Sequence, residues 1–204
     1  MSAIERLVLA SGNRGKLEEL TELLGRLVTA IVPQSYYFVP AAEETGGTFV
    51  ENAIIKARNA AAHTGLPAIA DDSGLEIPAL DGAPGVRSAR WAGDDASDAD
   101  NNAQLRDALI DLDDTQRSAA YRCVLVAMRH ADDPAPLIAE GVWVGQLIET
   151  PQGSGGFGYD PHFYLPESGC TAAALPAETK NMLSHRGQAL SALRRRLEQE
   201  WHNR

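Results

Sequence analysis

The 204-residue sequence predicts a mixed α/β fold. Two observations carry this. Short apolar runs in the first third are each coupled to a helical pattern, and two longer apolar runs, 121–128 and 137–146, then follow each other across a short connection. Neither repeats nor a linker long enough to separate independent domains interrupts the chain, so residues 1–204 read as a single domain.

Residues 6–10 (Arg-Leu-Val-Leu-Ala) form a short buried strand that runs into Ser11-Gly12-Asn13-Arg14-Gly15-Lys16. An amphipathic helix follows, with Leu17, Leu20, Leu23 and Leu24 on one face and Gly25 as its stop. Residues 29–32 make a second strand, then an irregular stretch passes through Pro33 and Pro40 to Glu43-Glu44-Thr45-Gly46-Gly47. Thr48-Phe49-Val50-Glu51 is a capping box, and the helix it starts runs to Thr64, with Gly65 closing it and Pro67 barring continuation. A third strand at 68–70 ends abruptly in Asp71-Asp72-Ser73-Gly74, and 75–80 returns to extended chain. Residues 81–100 read as a loop opening a helix at 97–110. The strands at 121–128 and 137–146 pair antiparallel; a glycine-dense loop, 153–161, follows. The tail from Pro176 is helical, broken at Ser184-His185-Arg186-Gly187, with a last helix to about Glu200.

Composition narrows the function. With 18 Lys plus Arg against 28 Asp plus Glu, the net charge is −10, which opposes coating of nucleic acid or docking on anionic lipid. An anionic substrate must therefore be received by a local basic pocket. A chain of this length buries roughly 70% of its unfolded surface, enough for its own core. Cys123 and Cys170 form neither a disulfide framework nor a Cys-x-x-Cys pair, and Cys123 reads as a small core residue. The only early apolar run is too short for a signal peptide, and nothing approaches a membrane span, so the expected location is the cytoplasm.

The turn at 11–16 joins a strand to a helix N-terminus, where unsatisfied amides and the helix dipole receive anions. It is not a Walker A loop: Ala10 replaces the first glycine, and Leu17 stands where a magnesium-binding hydroxyl is needed. The alternative is a tight turn with a solvated Lys16. Only three of the basic residues are lysines, Lys16, Lys56 and Lys180, and a compact ammonium suits a polyphosphate oxygen. Side chains alternate along a strand, so Asp71 and Asp72 point apart: one can bind a hard cation or take a proton from water, the other can fix the turn. Solvated acids in an Asx-type turn are the plain alternative, as they are for Glu43-Glu44. In the glycine loop Phe157 either stacks on a base or plugs the core. His185-Arg186 either donate to a purine O6 and N7 or are surface cap residues. Asp98, Asp100 and Asn102 have calcium-loop spacing, but Ala103 and Leu109 replace the required Gly and Glu, which excludes such a loop. Arg194-Arg195-Arg196, with Glu198 and Glu200, reads as a solvated helix face.

In this order, the segments resemble the inosine triphosphate (noncanonical purine NTP) pyrophosphatase family over nearly the whole chain. The marks are Ser-Gly-Asn-Arg-Gly-Lys at 11–16, Glu-Glu-Thr-Gly at 43–46, Phe-Val-Glu-Asn-Ala at 49–53 and Ala-Asp-Asp-Ser-Gly-Leu at 70–75. Gly-Ala-Pro-Gly-Val at 82–86, Gly-Gly-Phe-Gly-Tyr-Asp-Pro at 155–161 and Ser-His-Arg-Gly at 184–187 complete the set. The resemblance implies a long mixed, partly antiparallel sheet flanked by helices, two lobes with a central nucleotide cleft, and a homodimer. It implies Mg²⁺-dependent hydrolysis of ITP, dITP or XTP to the monophosphate and pyrophosphate. By position it implies that Ser11, Gly12, Asn13, Arg14, Gly15 and Lys16 hold the triphosphate with Lys56, that Glu44 and Asp72 hold the metal, and that Asp72 accepts the proton. Ser73, Phe157, Gly158, Tyr159, Asp160, Lys180, His185 and Arg186 match substrate-binding positions. Arg87, Trp91 and Tyr36-Tyr37-Phe38 depart from the family's pattern. The rival readings are a Maf-like pyrophosphatase acting on other nucleotides, a nucleotide sensor without catalysis, and an interaction scaffold.

Overall fold

A computed structural model of the chain describes residues 4–11, 16–17, 20–21, 24–25 and 27–201. Gly12, Asn13, Arg14, Gly15 and Leu23 lie outside the described residues.

Among the described residues seven strands form one sheet: β1 (Ile4–Leu9), β2 (Val28–Pro33), β3 (Ala68–Glu76), β4 (Ser118–Met128), β5 (Leu137–Leu147), β6 (Phe163–Leu165) and β7 (Cys170–Thr171). Their order is β2-β1-β3-β4-β5-β6-β7. β1 pairs parallel with both β2 and β3, whereas β5–β6 and β6–β7 are antiparallel, so the sheet is mixed. The main helices are α1 (Phe49–Thr64), α2 (Asp98–Leu109), α3 (Ala177–Leu183) and α4 (His185–Glu200).

Local chemistry explains the helix limits. Thr48 Oγ1 accepts from the Glu51 amide while the Glu51 carboxylate accepts from Thr48, and Gly65 closes α1 in the left-handed region at φ 66°. Ser97 and Asp100 repeat the capping box at α2. Ser184 is extended (φ −65°, ψ 156°) and separates α3 from α4. At that joint a Cβ on Gly187 would lie 1.8 Å from the Asn181 carbonyl oxygen, so only glycine allows the two helices to meet.

Three expectations need correction. β3 does not stop at Asp71 but runs through Asp72-Ser73-Gly74 to Glu76, because partners on both sides in the sheet outweigh the turn preference of Asp, Ser and Gly. Residues 78–80 are a 3₁₀ turn rather than extended chain. The loop at 81–100 contains a 3₁₀ segment, Gly85–Arg90.

The chain divides into two compact units. One comprises residues 1–72, 123–141 and 188–204; the other comprises 73–122 and 142–187. The first packs Leu7, Leu9, Ile69, Leu125, Leu190 and Leu193, with Cys123 buried among them. The second packs Leu75, Leu105, Leu109, Tyr121, Trp143 and Phe163. No helix among the described residues is long and apolar enough to cross a membrane.

Candidate active site

In the first unit, strand alternation sends the two aspartates of β3 to different lysines. Lys16 Nζ donates to Asp71 Oδ1 at 2.9 Å and lies 2.8 Å from its Oδ2. Lys56 Nζ contacts Asp72 Oδ1 at 2.7 Å and Glu44 Oε1 at 3.0 Å. Lys56 and Asn52 sit one turn apart on α1 and so share a face. From that face Asn52 Nδ2 also reaches Asp72, donating to Oδ2 at 3.3 Å. Asn52 is fully buried, and its Oδ1 accepts from the Gly46 amide at 2.8 Å. A Cβ on Gly46 would sit 2.7 Å from that Oδ1, so the Glu44-Thr45-Gly46 segment can approach only with glycine there. One amide thus ties the Glu44 loop to the Asp72 carboxylate.

This cluster holds more negative than positive charge, and both members of its central pair titrate upward. For Lys56, burial works to lower the pKa, but the Asp72 charge and hydrogen bond, with Asp71 and Glu44 adding, hold it above its usual value. For Asp72, burial raises the carboxyl, and repulsion from Glu44 adds to it, against the opposing pull of Lys56 and Asn52. Two hard carboxylates converging on one ammonium in a field of excess negative charge suit a divalent cation. Mg²⁺ uses one or two protein carboxylates and takes its other ligands from phosphate and water. Glu44 and Asp72 therefore fit that ion. Among the described residues no group of three or more His, Cys, Asp or Glu is placed to hold a metal. Ser11 follows β1 and is half-buried, as is Ser73 on β3.

In the second unit, the glycine loop presents Phe157 to solvent, 56% exposed, which excludes a core plug. Lys180 Nζ lies 5.0 Å and the Arg186 guanidinium carbon 5.5 Å from the ring centroid. Asp160 is buried, accepts from the Phe157 amide at 2.8 Å, and holds Lys180 Nζ at 2.5 Å. His185 stacks on Tyr121, ring centroids 4.7 Å apart and planes 9° apart. Burial, reinforced by the Asp160 charge, pushes the Tyr121 phenol up, so it stays neutral beneath the imidazole. Tyr159 is buried and donates to the Ser88 carbonyl at 2.8 Å; its side chain packs the unit rather than facing solvent. Trp91 packs against Tyr159 edge-on at 6.3 Å, and Arg87 makes a loose exposed pair with Asp94 at 3.7 Å.

Sequence reasoning missed three polar residues here: Asn52, and Asp98 with Asn102. The last two bind the main chain of Gly158, Asp98 Oδ2 accepting from its amide at 2.7 Å and Asn102 Nδ2 donating to its carbonyl at 2.9 Å. No local pattern pointed to this pairing; their spacing matched only that of a calcium loop.

Chemically, one unit offers an acid–ammonium cluster for a hard cation and phosphates. The other offers an exposed ring flanked by an ammonium and a guanidinium, and an imidazole stacked on a buried phenol.

The Ham1 family model matches residues 7–196 of the chain. A dITP/XTP pyrophosphatase from Vibrio cholerae is 54% identical over 197 residues, covering 97% of this chain and 98% of the relative. One from Methylococcus capsulatus is 57% identical over 192 residues, covering 94% and 96%. The solved structure of a HAM1 protein from Coxiella burnetii superposes with a TM-score of 0.92 at 53% identity, covering 96% of this chain and 99% of that one. A family model spanning almost the whole chain, relatives sharing more than half its residues and a matching fold agree: the chain belongs to the Ham1 family.

Proposed function

We propose that this protein is a nucleoside triphosphate pyrophosphatase that hydrolyses noncanonical purine nucleoside triphosphates, ITP, dITP and XTP, to the monophosphate and pyrophosphate. The observation that carries the reading is the acid–ammonium cluster, in which Asp72 is raised in proton affinity while held by Lys56 and Asn52. Relatives named dITP/XTP pyrophosphatase support the substrate class.

In this reading a water attacks the α-phosphorus in line and pyrophosphate leaves. Asp72 receives the water's proton; a carboxylate raised above its usual range is a better base than an exposed one. Lys16 and Lys56 exchange their carboxylate partners for phosphate oxygens and offset the charge that develops there. Glu44 and Asp72 would hold Mg²⁺, which would supply Lewis-acid polarisation of the phosphate oxygens. Residues 11–16 contribute amides to the triphosphate. Phe157 stacks on the base, and His185 and Arg186 donate to the acceptors of a 6-keto purine, which adenine's amino group does not satisfy. A homodimer in the cytoplasm belongs to the same reading and rests on the family resemblance.

The test is an assay that resolves monophosphate plus pyrophosphate from diphosphate plus phosphate, run with dITP and XTP, with and without Mg²⁺. The expected products are the first pair, Mg²⁺-dependent. Asp72→Asn should lower kcat by about 10²- to 10⁴-fold, the range for loss of a general base, while equilibrium binding of the nucleotide persists. Diphosphate products, or an active Asp72→Asn enzyme, overturn the mechanism.

A further inference from the structure

The loop that presents Phe157 is rich in glycine, and its hold on residue 158 comes from outside the loop. Gly153, Gly156 and Gly158 have φ of 79°, 76° and 61°, and a glycine-rich segment samples many conformations unless tied. Phe157 is exposed, so the core does not bury its ring, which meets the cationic ends of Lys180 and Arg186. Within the loop the Phe157 amide donates to Asp160 Oδ2 and the Asp160 amide to the Phe157 carbonyl (3.3 Å), and upstream the Gly155 amide donates to the Ala173 carbonyl (2.9 Å). Gly158 itself is held from α2: Asp98 Oδ2 takes the Gly158 amide at 2.7 Å, and Asn102 Nδ2 reaches the Gly158 carbonyl at 2.9 Å. Being one turn apart, the two side chains leave the same helix face and hold both main-chain polar groups of a single residue.

The helix behind them is well anchored. Ser97 and Asp100 cap its first turn, Leu105 and Leu109 are fully buried, and Asn101 is pinned between the Ala92 amide (2.9 Å) and the Ala89 carbonyl (3.1 Å). Asn102 Oδ1 is buried with no hydrogen-bond partner, a cost the fold carries in order to aim the amide nitrogen at Gly158.

We propose that Asp98 and Asn102 are positioning residues for base recognition: they clamp Gly158 and thereby fix the Phe157 ring, without touching the substrate themselves. This deepens the reading above and rests on its assignment of Phe157 to the base. A fixed ring binds at a lower entropic cost than a mobile one, so the clamp acts on substrate affinity and not on the phosphoryl chemistry.

The test is steady-state kinetics with dITP and XTP on Asn102→Leu, Asp98→Ala, Asp98→Asn, Phe157→Ala and the Phe157→Ala/Asn102→Leu double variant. Inhibition by inorganic tripolyphosphate serves as a probe of phosphate binding that lacks a base. Asn102→Leu removes the unpartnered oxygen along with the donation, so its Tm should hold. Asn102→Leu and Asp98→Ala should each raise KM about tenfold, with kcat and the tripolyphosphate Ki within about twofold of the parent. Asp98→Asn keeps an acceptor oxygen and should restore most of the parent KM. The double variant should be no worse than Phe157→Ala alone, because the clamp acts through that ring. If Phe157→Ala raises KM while the clamp variants do not, the clamp is overturned and the base assignment stands. A fall in kcat together with weaker tripolyphosphate binding also overturns it, by showing a general structural role. An unchanged KM in Phe157→Ala overturns both.

Discussion

Asp72 gives one oxygen to Lys56 and the other to Asn52, so its carboxylate is oriented from two positions on a single helix face. Asn52→Ala would free Oδ2 of Asp72 and strand the Gly46 amide that Asn52 Oδ1 accepts. The loss of two hydrogen bonds around a buried charge should lower kcat about tenfold. A chain that unfolds at its usual Tm yet turns over slowly would show that the residue orients rather than merely packs. The carboxylates and lysines of this cluster could be singled out in the sequence, but solvated acids in a turn and a solvated Lys16 read equally well locally, and only the ordered family motifs joined them. Asn52 was not singled out, since an asparagine within a helix looks the same in sequence whether it faces water or a buried acid. Asp98 and Asn102 were noticed for their spacing, but their partner is a main-chain glycine 56 or more positions away, which no local pattern signals.

Among the elements, those fixed by near neighbours in sequence were readable. The Thr48–Glu51 cap, the Gly65 stop and the Ser184 break all formed where the residues place them. Asp71-Asp72-Ser73-Gly74 reads locally as a turn, yet pairing across the sheet keeps it in β3 through Glu76. β6 and β7, three and two residues long, are too short for any alternation to show. The connection between β4 and β5 offers a pH-dependent check. Asp133 is buried and bonded by Arg129 through Nε (2.9 Å) and Nη2 (2.8 Å), with the Arg129 amide (3.0 Å) and the Ala135 amide (3.0 Å) adding. The Arg129 hydrogen bonds hold its carboxyl well below the usual carboxylate range. A depressed folded pKa contributes stability that is complete above the unfolded value of 3.8 and is lost as pH falls below it. Asp133→Asn should therefore lower Tm at pH 7, by about 4–10 °C for a loss of about 1.5–3 kcal/mol. The gap should narrow below pH 3.8 in thermal melts; a constant gap would exclude the ion pair as its source.

At the scale of the whole molecule, the two compact units are threaded through each other in sequence. The chain passes from one to the other at residues 72–73, 122–123, 141–142 and 187–188, so no single cut yields either core complete. A fragment of residues 1–122 would lack Leu125, Leu190, Leu193 and Leu197 of the first core and Trp143 and Phe163 of the second. It should show no cooperative unfolding by circular dichroism; a sharp melt would mean that the cores are less interdependent than their composition implies.

The scarcity of lysine has a practical consequence for anyone handling this protein. Lys16, Lys56 and Lys180 are the whole complement of ε-amines, and each is shielded against an aspartate, with side-chain exposures of 21%, 16% and 17%. Amine-directed dyes, biotin esters and coupling resins will find the terminal amine first. Every further mole they attach must fall on one of these three lysines, so under the proposed function the extent of labelling should track the loss of activity.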